Sequence, residues 1–166
     1  MTVLLLAGTG EARALSQRLT GRSVIASLAG VTRKPKPYGV PMRIGGFGGV
    51  EGLKSFLKDE GITAILDATH PYAAQMPQRA AMICAEYNLP YLRLLRPPWQ
   101  PQPGDQWHDV DNLQAAAAQM PPHSTVFLAT GGQSADHIAP LHAHTIWLRR
   151  VDDTGPAPWP KGGVLV

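Results

Sequence analysis

The stretch ITAILDAT at residues 62–69 is apolar on both faces of an extended strand. A strand of that kind needs cover on both sides. A parallel sheet sandwiched between crossover helices supplies it. Residues 2–7, TVLLLA, have the same character and read as the first strand of that sheet. The run ends on Gly8-Thr9-Gly10 and turns helical over 11–19, with Ala12, Leu15 and Leu19 as the apolar stripe. Strands at 23–30 and 42–44, a helix at 50–60 and the strand 62–69 follow. A helix begun at Pro71 then runs to 88, and a strand at 90–95 closes the series. This alternation predicts an α/β fold with a Rossmann-like, doubly wound parallel sheet.

Residues 96–107, RPPWQPQPGDQW, are proline-rich and read as a linker, which places one domain at 1–95 and a second at 96–166. The second domain repeats the alternation more weakly. Strands are predicted at 107–110, 125–130 and 145–151, helices at 113–120 and 134–141, and a loop at 152–163 before the final VLV. Three strands and two short helices make a thin core, so the reading is of a smaller, incomplete α/β domain.

Composition narrows the setting. Hydrophobic residues make up 44% and charged residues 16% of the chain, and no run approaches the ~18 apolar residues of a membrane span. The N-terminus shows no basic region before its apolar strand, so no signal peptide is read there. Cys84 is the sole cysteine and reads as a small buried apolar residue, which points to a reducing, cytoplasmic setting. The net charge of +3 comes without any basic run longer than RKPK (33–36) and suggests small anionic molecules at least as readily as nucleic acid; neither a nucleic-acid nor a membrane partner is expected. His137, His142 and His144 lack companion cysteines or carboxylates at ligand spacing, so no metal site is predicted.

The chemistry-bearing clusters fall after strands, where open parallel sheets bind ligands. Gly8, Thr9 and Gly10 would let a backbone approach a pyrophosphate at a helix start. A dinucleotide fingerprint places glycine at position 13, and this chain has Arg13; Glu11 would repel a phosphate unless turned away. The loop therefore reads either as a phosphate grip or as a tight strand-to-helix corner. Ser27, Thr32, Arg33 and Lys34 follow the second strand with no acid among them, which favours NADPH over NADH if a dinucleotide binds. Gly46, Phe47 and Gly48 of GGFGG, and Thr69 of DATHPY, complete the set of cofactor-binding candidates.

Taken together, LLLAGTGEARAL, SLAG, GGFGG, ILDATHPYAA, PYLRLLRPPW and FLATGG resemble the precorrin-6A reductase family, which includes the cobalt-precorrin-6A enzymes. The resemblance spans residues 3–99 in matching order and extends to 127–132. It implies NADPH as cofactor, an anionic tetrapyrrole as substrate, and reduction of one macrocycle double bond in cobalamin biosynthesis. Two departures stand out: Val31 replaces the family's common arginine, and the later SKNSGG-like stretch is absent. The alternative is a non-catalytic module that binds nucleotide or tetrapyrrole. A homo-oligomer is compatible with either.

For such a substrate, Arg93 and Arg96 would hold carboxylates and Trp99 would offer a flat apolar face. Asp67, His70 and Tyr72 are the catalytic candidates. His70 is placed first as proton donor, because histidines ordinarily titrate near neutrality. Asp67 has a second reading, in which it satisfies the backbone amides of its loop.

Overall fold

In the computed structural model, β1 (Thr2–Leu6) accounts for the architecture. Leu4 and Leu6 pack with Leu53, Leu57 and Ile83 on one side of the sheet. Leu5 and Ala7 pack with Ala12, Val24 and Ala26 on the other. Leu4 and Leu5 are 0% exposed, the two-sided burial that a central parallel strand requires. The structure describes residues 1–30, 35–130, 138–142, 144–150, 155–157, 159 and 161–166. They divide into two compact units, Met1–Trp99 and Gln100–Val166.

In the first unit, β1 is followed by α1 (Gly10–Arg18), β2 (Val24–Leu28), β3 (Met42–Ile44), α2 (Gly49–Asp59), β4 (Ile62–Asp67), α3 (Gln75–Glu86) and β5 (Tyr91–Arg93). The sheet order is β3-β2-β1-β4-β5, with every pairing parallel. The chain moves outward from β1 to β3 and then returns through α2 to β4. The strand order therefore reverses between β1 and β4, and the loops leaving these two strands open a crevice at the carboxyl edge. Burial holds the Cys84 thiol in the α3 core and raises its pKa.

The helix expected to begin at Pro71 begins at Gln75. The Ala73 amide donates to the His70 carbonyl at 2.8 Å and the Tyr72 amide to His70 Nδ1 at 3.2 Å, so residues 70–73 form a turn. The proline in the first helical turn is Pro77, where an amide proton is not needed.

The second unit holds α4 (Leu113–Gln119), β6 (Thr125–Leu128), a single 3-10 turn at Ala139–Leu141, β7 (Thr145–Arg149) and β8 (Gly162–Leu165). The sheet is parallel, β6-β7-β8. Burial alternates along β6 and β7. Val126, Leu128, Ile146 and Leu148 pack against Leu141 and Trp159, whereas Phe127 and Trp147 remain exposed on the opposite face. Half of the helix expected at 134–141, residues 134–137, lies outside the described residues, and the described remainder holds the 3-10 turn. The strand expected at 107–110 does not form: Trp107 and Val110 stay exposed, and a strand without a ladder partner or a buried face is not stable. Conversely, Gly162 and Gly163, expected in a loop, belong to β8. A Cβ at Gly162 would lie 1.8 Å from the Ile146 carbonyl oxygen, so the glycine is what lets the strands meet. No helix among the described residues is long and apolar enough to cross a membrane.

Candidate functional site

The loop leaving β1 gets its shape from two residues. Gly8 sits at φ +122°, a conformation side chains rarely adopt. Thr9 caps α1: its Oγ1 accepts from the Ala12 amide at 3.0 Å and donates to the Ala68 carbonyl at 2.7 Å. That second bond ties the glycine loop to the end of β4, across the crevice. The Thr9 hydroxyl is thus committed to positioning the loop.

A cleft of about 400 Å³ opens beside it, bounded by Gly8, Ser27, Gly46, Phe47, Thr69 and His70, with Met76 and Arg79 contributed by α3. This is an ordinary size for a small-molecule or cofactor site. The backbone lies bare along its rim, since a Cβ built on Gly8, Gly10, Gly45 or Gly46 would meet nothing within 4 Å. Gly10 itself borders a neighbouring groove rather than the cleft.

Arg43 on β3 builds the far wall, and sequence reasoning missed it. Its Nη1 donates to Ser27 Oγ at 2.7 Å and to the Gly45 carbonyl at 2.9 Å, and its Nη2 donates to the Gly46 carbonyl at 3.0 Å. The guanidinium also lies 4.1 Å from the Phe47 ring centroid, and Phe47 meets Phe56 edge-on at 5.2 Å. Ser27 is buried and its oxygen faces Arg43. The only sequence signal was an arginine in a three-residue strand directly before a glycine run. Thr32 and Arg33 lie outside the described residues.

Beneath the β4 loop, Asp67 is completely buried. Its Oδ1 accepts from the Thr69 amide at 2.9 Å and hydroxyl at 2.7 Å, and its Oδ2 accepts from the Tyr91 hydroxyl at 2.6 Å. Arg93 Nε stands 3.6 Å from Oδ2, while its Nη2 donates to the Ala73 carbonyl at 3.3 Å. Burial first, then the bond to Asp67, push the Tyr91 phenol well above its ordinary value. Asp67 and Arg93 therefore brace the loop from below.

On the rim, Arg96 joins two loops. Its Nη1 is 3.6 Å from Glu11 Oε1, and its Nη2 is 3.0 Å from His70 Nε2. Glu11 thus has a cationic partner beside the glycine loop. Both His70 nitrogens face donors, Tyr72 N–H at Nδ1 and Arg96 at Nε2, and a neutral imidazole has one acceptor nitrogen. The two contacts compete, which makes the exposed Arg96 the partner that can leave. Tyr72 is 87% exposed, with its ring 5.3 Å from that of His70, and Trp99 is also exposed. Gly48 caps α2 in a left-handed conformation and does not border the cleft.

Comparison with known proteins adds an independent finding. The family described as precorrin-6x reductase CbiJ/CobK matches residues 2–162. A precorrin-6A reductase of Rhodococcus erythropolis is 41% identical over 169 residues, covering 99% of this chain and 68% of that protein. One from Sinorhizobium sp is 43% identical over 160 residues, covering 93% of this chain and 60% of that protein. A solved structure of CobK precorrin-6A reductase superposes with a TM-score of 0.91 at 41% identity, covering all of this chain and 68% of that one. The chain thus spans about two thirds of the length of these relatives.

Proposed function

The chain belongs to the precorrin-6x reductase family, and from that membership we propose that it reduces one double bond of precorrin-6A with NADPH, giving the dihydro product in cobalamin biosynthesis. The observation that carries the reading is the glycine-rimmed cleft at the reversal of strand order, with α1 beginning at its edge. The residues present fit a dinucleotide. Bare backbone at Gly8 and Gly10 accommodates a pyrophosphate, the Arg43-braced Gly45–Gly46 turn and Phe47 form an adenosine-side wall, and Thr69 and His70 border the opposite end. When bound, NADPH supplies a hydride from its nicotinamide.

The chain's own residues do the rest. Thr9 and Asp67 hold the two loops in register, and Glu11 is neutralised by Arg96 rather than left facing phosphate. Arg96 lies at the mouth, where its Nη2 turns to a substrate carboxylate and leaves His70 Nε2 free. Protonated from solvent at Nδ1, at the expense of the Tyr72 amide bond, the imidazolium delivers its Nε2 proton to the ring and returns to the neutral form. Arg93 keeps the β4 loop beneath the substrate, with Tyr72 and Trp99 as exposed aromatic surface around it. In this reading residues 1–95 form the dinucleotide domain and 96–166 a second α/β domain, and the enzyme works in a reducing cytoplasm that keeps Cys84 a thiol.

The test is to mix the chain with NADPH and precorrin-6A and follow the nicotinamide absorbance. Loss of the band together with a shift of the tetrapyrrole spectrum supports the proposal. Binding of both without turnover assigns a binding module instead, and failure to bind NADPH refutes the reading.

A further inference from the structure

Position 13 is where the chain departs most plainly from a dinucleotide fingerprint, and the structure gives that arginine a setting of its own. A second groove, which shares no lining residue with the cleft, is bordered by Gly10, Arg13 and Gln17 of α1 and by Lys36 of the segment after β2. That segment is clamped onto α1. The Gly8 amide donates to the Tyr38 hydroxyl at 3.3 Å, the Gly39 amide donates to Ser16 Oγ at 3.1 Å, and Thr20 Oγ1 donates to the Gly39 carbonyl at 3.1 Å. A Cβ at Gly39 would stand 2.7 Å from the Ser16 carbonyl oxygen and 2.8 Å from Gln17 Cα, so glycine is what permits the close approach.

The clamp brings a second cation to the arginine. The Arg13 side chain is half-buried and, among the described residues, has no hydrogen-bond or ion-pair partner. Among the described residues no carboxylate lines the groove, and the nearby Glu11 is engaged by Arg96. A helical side chain leans over the turn preceding it, which for Arg13 is the glycine loop. A dinucleotide whose pyrophosphate rests on such a loop carries its adenosine ribose toward the end of β2 and the segment that follows, where Lys36 lies.

We infer that the Arg13–Lys36 groove receives the 2′-phosphate of NADPH and selects it against NADH. A guanidinium that can grip phosphate bidentately and an ammonium beside it suit a dianion, and neither has a use for a free ribose hydroxyl. The inference rests on the NADPH reading above and adds to it two residues, Arg13 and Lys36, that the sequence pattern did not single out for the 2′-phosphate.

Calorimetric titration of NADPH, NADH and adenosine 2′,5′-bisphosphate into the wild type, Arg13→Gln and Lys36→Gln separates the two. The wild type should prefer NADPH. Each substitution should weaken NADPH and the bisphosphate by about tenfold or more, the loss of a charge-assisted hydrogen bond, and leave NADH as in the wild type. Arg13→Lys should restore part of the loss. Unchanged melting temperatures confirm that the variants fold, since among the described residues the Arg13 side chain has no hydrogen bond or ion pair to lose. A wild type that prefers NADPH with variants that bind it undiminished, or that lose NADPH and NADH equally, overturns the groove alone. A wild type that binds neither dinucleotide overturns the cofactor reading and the groove with it.

Discussion

Asp67→Asn probes whether the crevice is held from beneath by a single carboxylate. Asparagine keeps the shape but replaces one acceptor oxygen with two donors. On the Oδ1 side a donor would meet the Thr69 amide, which can only donate, so the amide nitrogen must turn to the Oδ2 side. There the Tyr91 hydroxyl can reverse to accept, but Arg93 loses its counter-ion in a site where the carboxylate is 0% exposed. Breaking a buried charge pair while saving part of its hydrogen bonding should cost about 3 kcal/mol. Hydrogen exchange of the Leu5 and Leu66 amides reads this in the first unit alone, without averaging over the second. Protection should fall on the order of 100-fold, at 1.4 kcal/mol per decade. Tyr91→Phe removes one bond to the same oxygen and should cost about 1.5 kcal/mol, and the double variant should lose less than the sum because the two share that bond. Protection within about threefold of the wild type in Asp67→Asn, less than 1 kcal/mol, would refute the claim that this network braces the loops.

Three further outcomes follow from the same geometry. Gly39→Ala forces a methyl against the α1 backbone and should lower stability by about 1–3 kcal/mol, measured as a fall in urea midpoint. An unfolded Tyr91 ionises near pH 10 and the folded phenol only above it; the stability this supplies is complete below about pH 10 and lost as pH rises further, a loss Tyr91→Phe should abolish in alkaline unfolding curves. Arg96→Met removes exposed contacts and should change stability by less than about 1 kcal/mol, while raising the precorrin KM roughly tenfold or more in steady-state assays.

The sheet was legible because its strands are apolar in a way only one architecture satisfies. Leu4, Leu5 and Leu6 admit no solvent face, and the glycines after β1 and β3 mark where the chain must turn sharply. Reading failed where local signals were balanced by distant ones. Pro71 and Pro77 are equally good helix-start residues in isolation, and the His70 turn decides between them. Trp107 and Val110 have strand propensity but no neighbouring ladder, whereas Gly162 has none and gains one because Ile146 comes close. At the site, the sequence gathered Asp67, His70, Arg93 and Arg96 near one edge but not their division of labour. Which arginine turns inward to Asp67 and which outward to Glu11 depends on the Tyr91 bond and on the Ala73 carbonyl, contacts separated by many residues in the chain. Tyr38 left no pattern at all and Arg43 only its place before a glycine run, since each acts through a loop brought to it by folding.

We place the dinucleotide at the carboxyl edge between β1 and β4, and amide chemical-shift mapping during an NADPH titration reads that placement residue by residue. The largest shifts should fall on Gly8, Gly10, Gly45, Gly46, Thr69 and His70; saturable shifts confined to residues 100–166, or none anywhere, would contradict it.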